Sequence, residues 1–131
     1  MRWLIRMVSL LTLLLNGCSA PSAGFIGYER TGGFMRLDDK LVIQKDGKAT
    51  LTQHGQSTSF QLDTAELNKL VALFEASHVD TLQRNYPASG NDLIQYRVTY
   101  KGQTVQAQDG SIPVELQPVI DALNTLVDTT H

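Results

Sequence analysis

The sequence predicts an α+β fold: an antiparallel sheet of about five or six strands with two helices packed on one face. Three observations carry this. Residues 94–100 alternate apolar and polar with a period of two, the mark of a half-buried strand. Turn dipeptides (Asp46-Gly47, His54-Gly55 and Lys101-Gly102) punctuate the chain at short intervals, as consecutive hairpins require. Two segments, one after Asp63 and one near Pro118, repeat apolar residues at helical spacing. Strands and helices do not alternate as βαβ units, so the sheet is expected to be antiparallel.

Each element follows from local chemistry. Phe25 to Arg30 reads as a first strand, interrupted by Gly32-Gly33. Leu41-Val42-Ile43 is apolar and mostly β-branched, and Asp46-Gly47 behind it reads as a two-residue hairpin turn. That turn sets Val42 opposite Leu51 and Gln44 opposite Ala49, which puts Val42 on the buried face. His54-Gly55 begins another turn, followed by the weak alternation Thr58-Phe60-Leu62. Asp63 stands where a helix N-cap belongs, Glu66 completes a capping box, and Leu62 can staple against Leu67. Leu67, Leu70, Val71 and Phe74 form the apolar stripe of that helix, which fades near Ser77. Residues 79–91, with Pro87 and Gly90, read as a loop whose Val79 and Leu82 tuck inward. Lys101-Gly102 pairs Val98 with Val105 and Tyr96 with Ala107, so register and apolar pattern agree. Pro113 and Pro118 rule out one continuous helix from Ser111. A turn followed by a helix opening near Pro118 fits, with Val119, Ile120, Leu123, Leu126 and Val127 on its apolar face.

At 131 residues, 42% hydrophobic and 18% charged, the chain has the size and composition of one globular domain. A net charge of −2 without a Lys/Arg stripe gives no reason to expect nucleic acid. The single cysteine, Cys18, excludes an internal disulfide. Ahead of it, Arg2 and Arg6 precede an apolar run from Met7 to Leu15, far short of the ~20 residues of a membrane-spanning helix. Leu15-Asn16-Gly17-Cys18 resembles the lipobox of bacterial lipoproteins, although Asn16 replaces the usual small residue. The resemblance implies a signal peptide at 1–17, lipid on Cys18, a tether at 18–24 and a domain at 25–128. Ser19 then favours the outer membrane. Cleavage removes two arginines and no acid, so the lipid rather than a basic patch is expected to anchor the chain.

Catalytic machinery is not expected, nor a metal or cofactor. His54, His78 and His131 are isolated from one another, and no GxSxG is present. Asp38-Asp39 reads as a solvated turn, because neighbours on a strand would point to opposite faces. Asp109-Gly110-Ser111 reads as a turn rather than a phosphate cradle.

The most distinctive stretch is Arg30-Thr31-Gly32-Gly33-Phe34, in which Phe34 is either an exposed anchor or a core residue behind a bulge. The segment Tyr28 to Phe34 resembles an early motif of emfourin-like domains. Asp92 with Tyr96, and Pro113-x-x-Leu116-x-Pro118-Val119-Ile120-x-x-Leu123, are similar to later ones, so the likeness spans roughly residues 26–127. That family comprises α+β inhibitors of thermolysin-like zinc metallopeptidases. The resemblance implies partner contacts from loops 31–35 and 85–91, with Thr31, Gly32, Gly33, Phe34, Tyr86 and Pro87 as candidates. The expected function is a lipid-anchored, non-catalytic interaction module of the cell envelope. The alternative is a tethered inhibitor of a metallopeptidase.

Overall fold

The computed structural model describes residues 25–130. Strands β1 (Ile26–Gly32), β2 (Leu37–Ile43), β3 (Lys48–Gln53) and β4 (Gln56–Gln61) form a meander, followed by α1 (Thr64–Ser77). A short 3-10 turn (Val79–Thr81) leads to β5 (Asn85–Tyr86); β6 (Ile94–Tyr100), β7 (Gln103–Gln108) and α2 (Gln117–Thr129) complete the chain. The strands lie in the order β4-β3-β2-β1-β6-β7-β5, with β1 antiparallel to both β2 and β6. The α+β class therefore holds. The sheet has seven strands rather than five or six, and it is mixed, because β5 runs parallel to β7. Two residues show no alternation, and Asn85 and Tyr86 pair with Gln106 and Ala107, so nothing local announces the strand.

Alternation along each strand sorts the side chains into a buried and an open face. Leu51, Leu41, Tyr28, Val98 and Val105 lie side by side across five strands, and Ile43, Ile26 and Tyr100 form a parallel row. All of these are buried, each contributing roughly 1.5–3 kcal/mol through the water it sheds. Glu29, flanked by Lys40 and Arg97 at 3.7 and 3.6 Å, belongs to the polar open face. Both helices cover the buried face. From α1, Phe74 stacks on Tyr100 with ring centroids 4.6 Å apart. From α2, Asn124 accepts a hydrogen bond from the Tyr28 hydroxyl.

The β6–β7 register is the expected one, Val98 on Val105 and Tyr96 on Ala107. The β2–β3 register is not. Leu41 faces Leu51 and Ile43 faces Ala49, which puts Val42 opposite Thr50 on the open face. The cause is the turn. Gln44 N–H bonds Lys48 O at 2.8 Å and Gly47 takes a left-handed φ of 86°, so the loop has three residues, Lys45 to Gly47. One added residue shifts the strand by one and exchanges its faces.

Helix α1 begins as expected, with the Asp63 carboxylate accepting from Glu66 N at 2.7 Å. It ends at His78, whose φ of 49° and N–H bond to Glu75 O close the last turn. Leu70 and Phe74 are buried, whereas Val71 is only half-buried. Pro118 occupies the first turn of α2, where its missing N–H costs nothing.

Candidate functional site

The β1–β2 hairpin ends in a turn in which Arg36 N–H bonds Gly33 O at 3.1 Å. Phe34 and Met35 are its two central residues, so both side chains project from the apex, 86% and 76% exposed. Of the alternatives for Phe34, the exposed one holds. The apex is tied to the chain beside it. Gly33 N–H donates to Leu93 O at 3.2 Å. A Cβ on Gly33 would stand 2.7 Å from Ile94 Cγ1, and Gly33 also adopts a φ of 74°. Glycine is required there for conformation and for closeness together. Arg36 and Asp92 hold left-handed φ values of 50° and 54° without being glycine, a strain that the surrounding bonds sustain.

The next loop is bonded on in turn. Ile94 O accepts from Asp109 N at 3.0 Å, and the Asp109 carboxylate accepts from Ile94 N and from the Tyr96 hydroxyl, each at 3.0 Å. Burial, with the Asp109 charge adding to it, pushes the Tyr96 phenol up to about 12. The segment from Asp109 leads to Val114, 79% exposed. Phe34, Met35 and Val114 are the large apolar side chains left exposed among the described residues. All three belong to connections that leave the sheet at this end, whereas Phe25, ahead of β1, lies at the other.

An ionic clamp underlies the hairpin. Arg30 Nε bonds Asp39 at 2.6 Å, its terminal nitrogens reach Asp128 at 2.5 Å and Asn124 at 3.2 Å, and Gln53 donates to Asp39 at 3.0 Å. Burial alone would lower the Arg30 pKa, but the bonds to Asp128 and Asp39 outweigh it and raise it. Burial likewise raises the Tyr28 phenol above its ordinary range. Asp39 is therefore not part of a solvated turn: its side chain is 4% exposed, inside β2, while Asp38 faces solvent. Residues of one strand do point to opposite faces, and the inward one met an arginine.

Of the expected contact residues, Thr31, Gly32, Gly33 and Phe34 come together at the apex. Tyr86 and Pro87 do not join the apolar tip. The Tyr86 ring packs partly buried against the core, its carbonyl accepts from Ser111 and its hydroxyl accepts from Gln83 N at 2.9 Å. Pro87 is exposed. The part of loop 85–91 that nears the apex is its far end, running into Asp92 and Leu93. Met35 falls within the expected 31–35 loop, although it is not among the residues named there; Val114 was missed, its only signal a bulky apolar residue beside Pro113 outside any periodic run. Cys18, the signal at 1–17 and the tether at 18–24 lie outside the described residues, as does His131. His54 sits in a hairpin turn and His78 caps α1. Among the described residues no group of three or more His, Cys, Asp or Glu is placed to hold a metal ion, and no helix is long and apolar enough to cross a membrane. No protein-family model matches the chain, and no curated protein matches it.

Proposed function

We propose that this protein is a lipid-anchored, non-catalytic interaction module of the cell envelope that grips a protein partner with its β1–β2 apex. The single observation behind the reading is the pair Phe34 and Met35, exposed on a turn that is hydrogen-bonded to its neighbour and therefore already ordered. Two adjacent apolar side chains on an ordered turn can fill a partner's pocket without a large entropic cost on binding. The lipobox at Leu15–Cys18 supplies the anchor in this reading.

A photo-crosslinking residue at position 34, in cells, is expected to yield one discrete adduct that is absent when the same residue sits at Thr50 on the open face. Equal labelling from both positions would sink the proposal. Mass spectrometry of the mature chain tests the anchor separately: a first residue other than acylated Cys18 removes it.

A second reading is favoured by the placement of the apex beside residues 92–93, which sets two loops next to each other as inhibitory contacts would need. In that reading the module is a tethered inhibitor of a thermolysin-like metallopeptidase, as the emfourin-like resemblance implies. Titrating such a peptidase with the purified protein is the test, and undiminished peptidase activity at micromolar protein counts against it.

A further inference from the structure

An antiparallel strand sends its backbone groups to alternate sides, residue by residue. His54-Gly55 is a two-residue turn with both φ values positive, so the flanking pair Gln53 and Gln56 is hydrogen-bonded, as is Leu51 with Thr58. Gln56, Thr58 and Phe60 thus direct their N–H and C=O groups to β3. Leu62 keeps the same parity, its N–H donating to Gly47 O at 3.0 Å. Ser57, Ser59 and Gln61 turn theirs outward, and β4 is the last strand of the sheet.

Exposed edges are normally blunted by shortness, charge, proline or a bulge. The other edge strand, β5, has two residues, with Arg84 before it and Pro87 after it. β4 has none of these protections: six residues, uncharged, in unbroken register with β3. Its one large apolar residue, Phe60, is left half-buried on the helix side.

We propose that β4 pairs antiparallel with β4 of a second copy, about a two-fold axis at Ser59, joining two sheets into one. Ser59 then meets Ser59 of the second copy and Ser57 meets Gln61, each pair exchanging both backbone hydrogen bonds. Phe60 falls opposite Thr58 of the second copy in a close pair without hydrogen bonds, an aromatic to β-branched contact. Self-pairing sets residues near the axis against their own images, so a charged strand would meet like charges; β4 has no charge. This neutrality favours a second copy over a foreign strand. The axis is perpendicular to the sheet, so the two Phe34 apices point in opposite directions and stay free. The pairing therefore stands independently of the apex reading.

Sedimentation velocity of the full-length chain in detergent micelles tests it. Ser59→Pro removes an outward N–H and no bond to β3, while Ser59→Lys sets two ammonium groups face to face. A dimer is expected at roughly 100 μM chain, with its dissociation constant raised at least about tenfold in both variants and circular dichroism unchanged. Should Ser59→Pro lose its fold, Ser59→Lys alone decides. A monomeric wild-type chain overturns the proposal, and so does a dimer that Ser59→Lys leaves intact.

Discussion

Two of the hairpin turns that use glycine at positive φ teach different things. At Lys101-Gly102 the apex is polar, and a Cβ on Gly102 would meet nothing within 4 Å. At Gly33 the same addition would strike Ile94, and the apex carries Phe34 and Met35 instead of a polar pair. The first turn only reverses the chain. The second is pressed against a neighbouring segment and offers apolar surface to solvent.

The deepest break in that contrast lies beneath the apex. Arg30→Met leaves Asp39 buried with Gln53 but no cation, and is expected to cost about 3 kcal/mol in urea unfolding. Gly33→Ala combines a left-handed penalty with the Ile94 clash, for roughly 2–3 kcal/mol, whereas Gly102→Ala loses only about 1–2 kcal/mol. If the two alanine variants unfold alike, the apex is not packed as described. Replacing both Phe34 and Met35 by alanine should change stability by less than about 0.5 kcal/mol while abolishing adducts from a photo-crosslinker at Arg36. The smallest effect lies at the far end. Hydrogen bonds from Tyr100 and Lys101 hold Glu75 below its usual 4.5. A carboxylate lowered in the folded state contributes fully above 4.5 and loses that contribution as pH falls through its folded value. Glu75→Gln should therefore flatten the acid limb of a melting-temperature profile slightly, and less so in high salt.

The parts legible in the sequence were those governed by neighbours. Tyr96 to Ala107 could be aligned because a two-residue turn and a period-two run enforce one another. At Asp46-Gly47 the same dipeptide closes a longer loop, and Val42 alone was seated in the core where Leu41 and Ile43 together belong. Burying Leu41 and Ile43 outweighs burying Val42, and the longer loop permits it. The burial of Asp39 depends on Arg30 across a hairpin and on Asp128 at the far end of the chain, which no local pattern encodes. The apex was legible as a stretch, through its glycines. Its exposure was not, because it follows from where residues 92–94 happen to lie.

The Arg30 clamp joins the first strand to the last helix, closing a separation of 98 residues at Asp128. β1 is also bordered on one side by β6, which arrives late in synthesis. The chain leaves the ribosome from its N-terminus, so its most central strand must wait for its most distal partner. Long-range closure of this kind is slow and keeps the unfinished state open. The β1–β4 meander can pair early, but the core is closed only when the last helix reaches Arg30, so a chain cut short before α2 loses the Asn124 and Asp128 arms of the clamp.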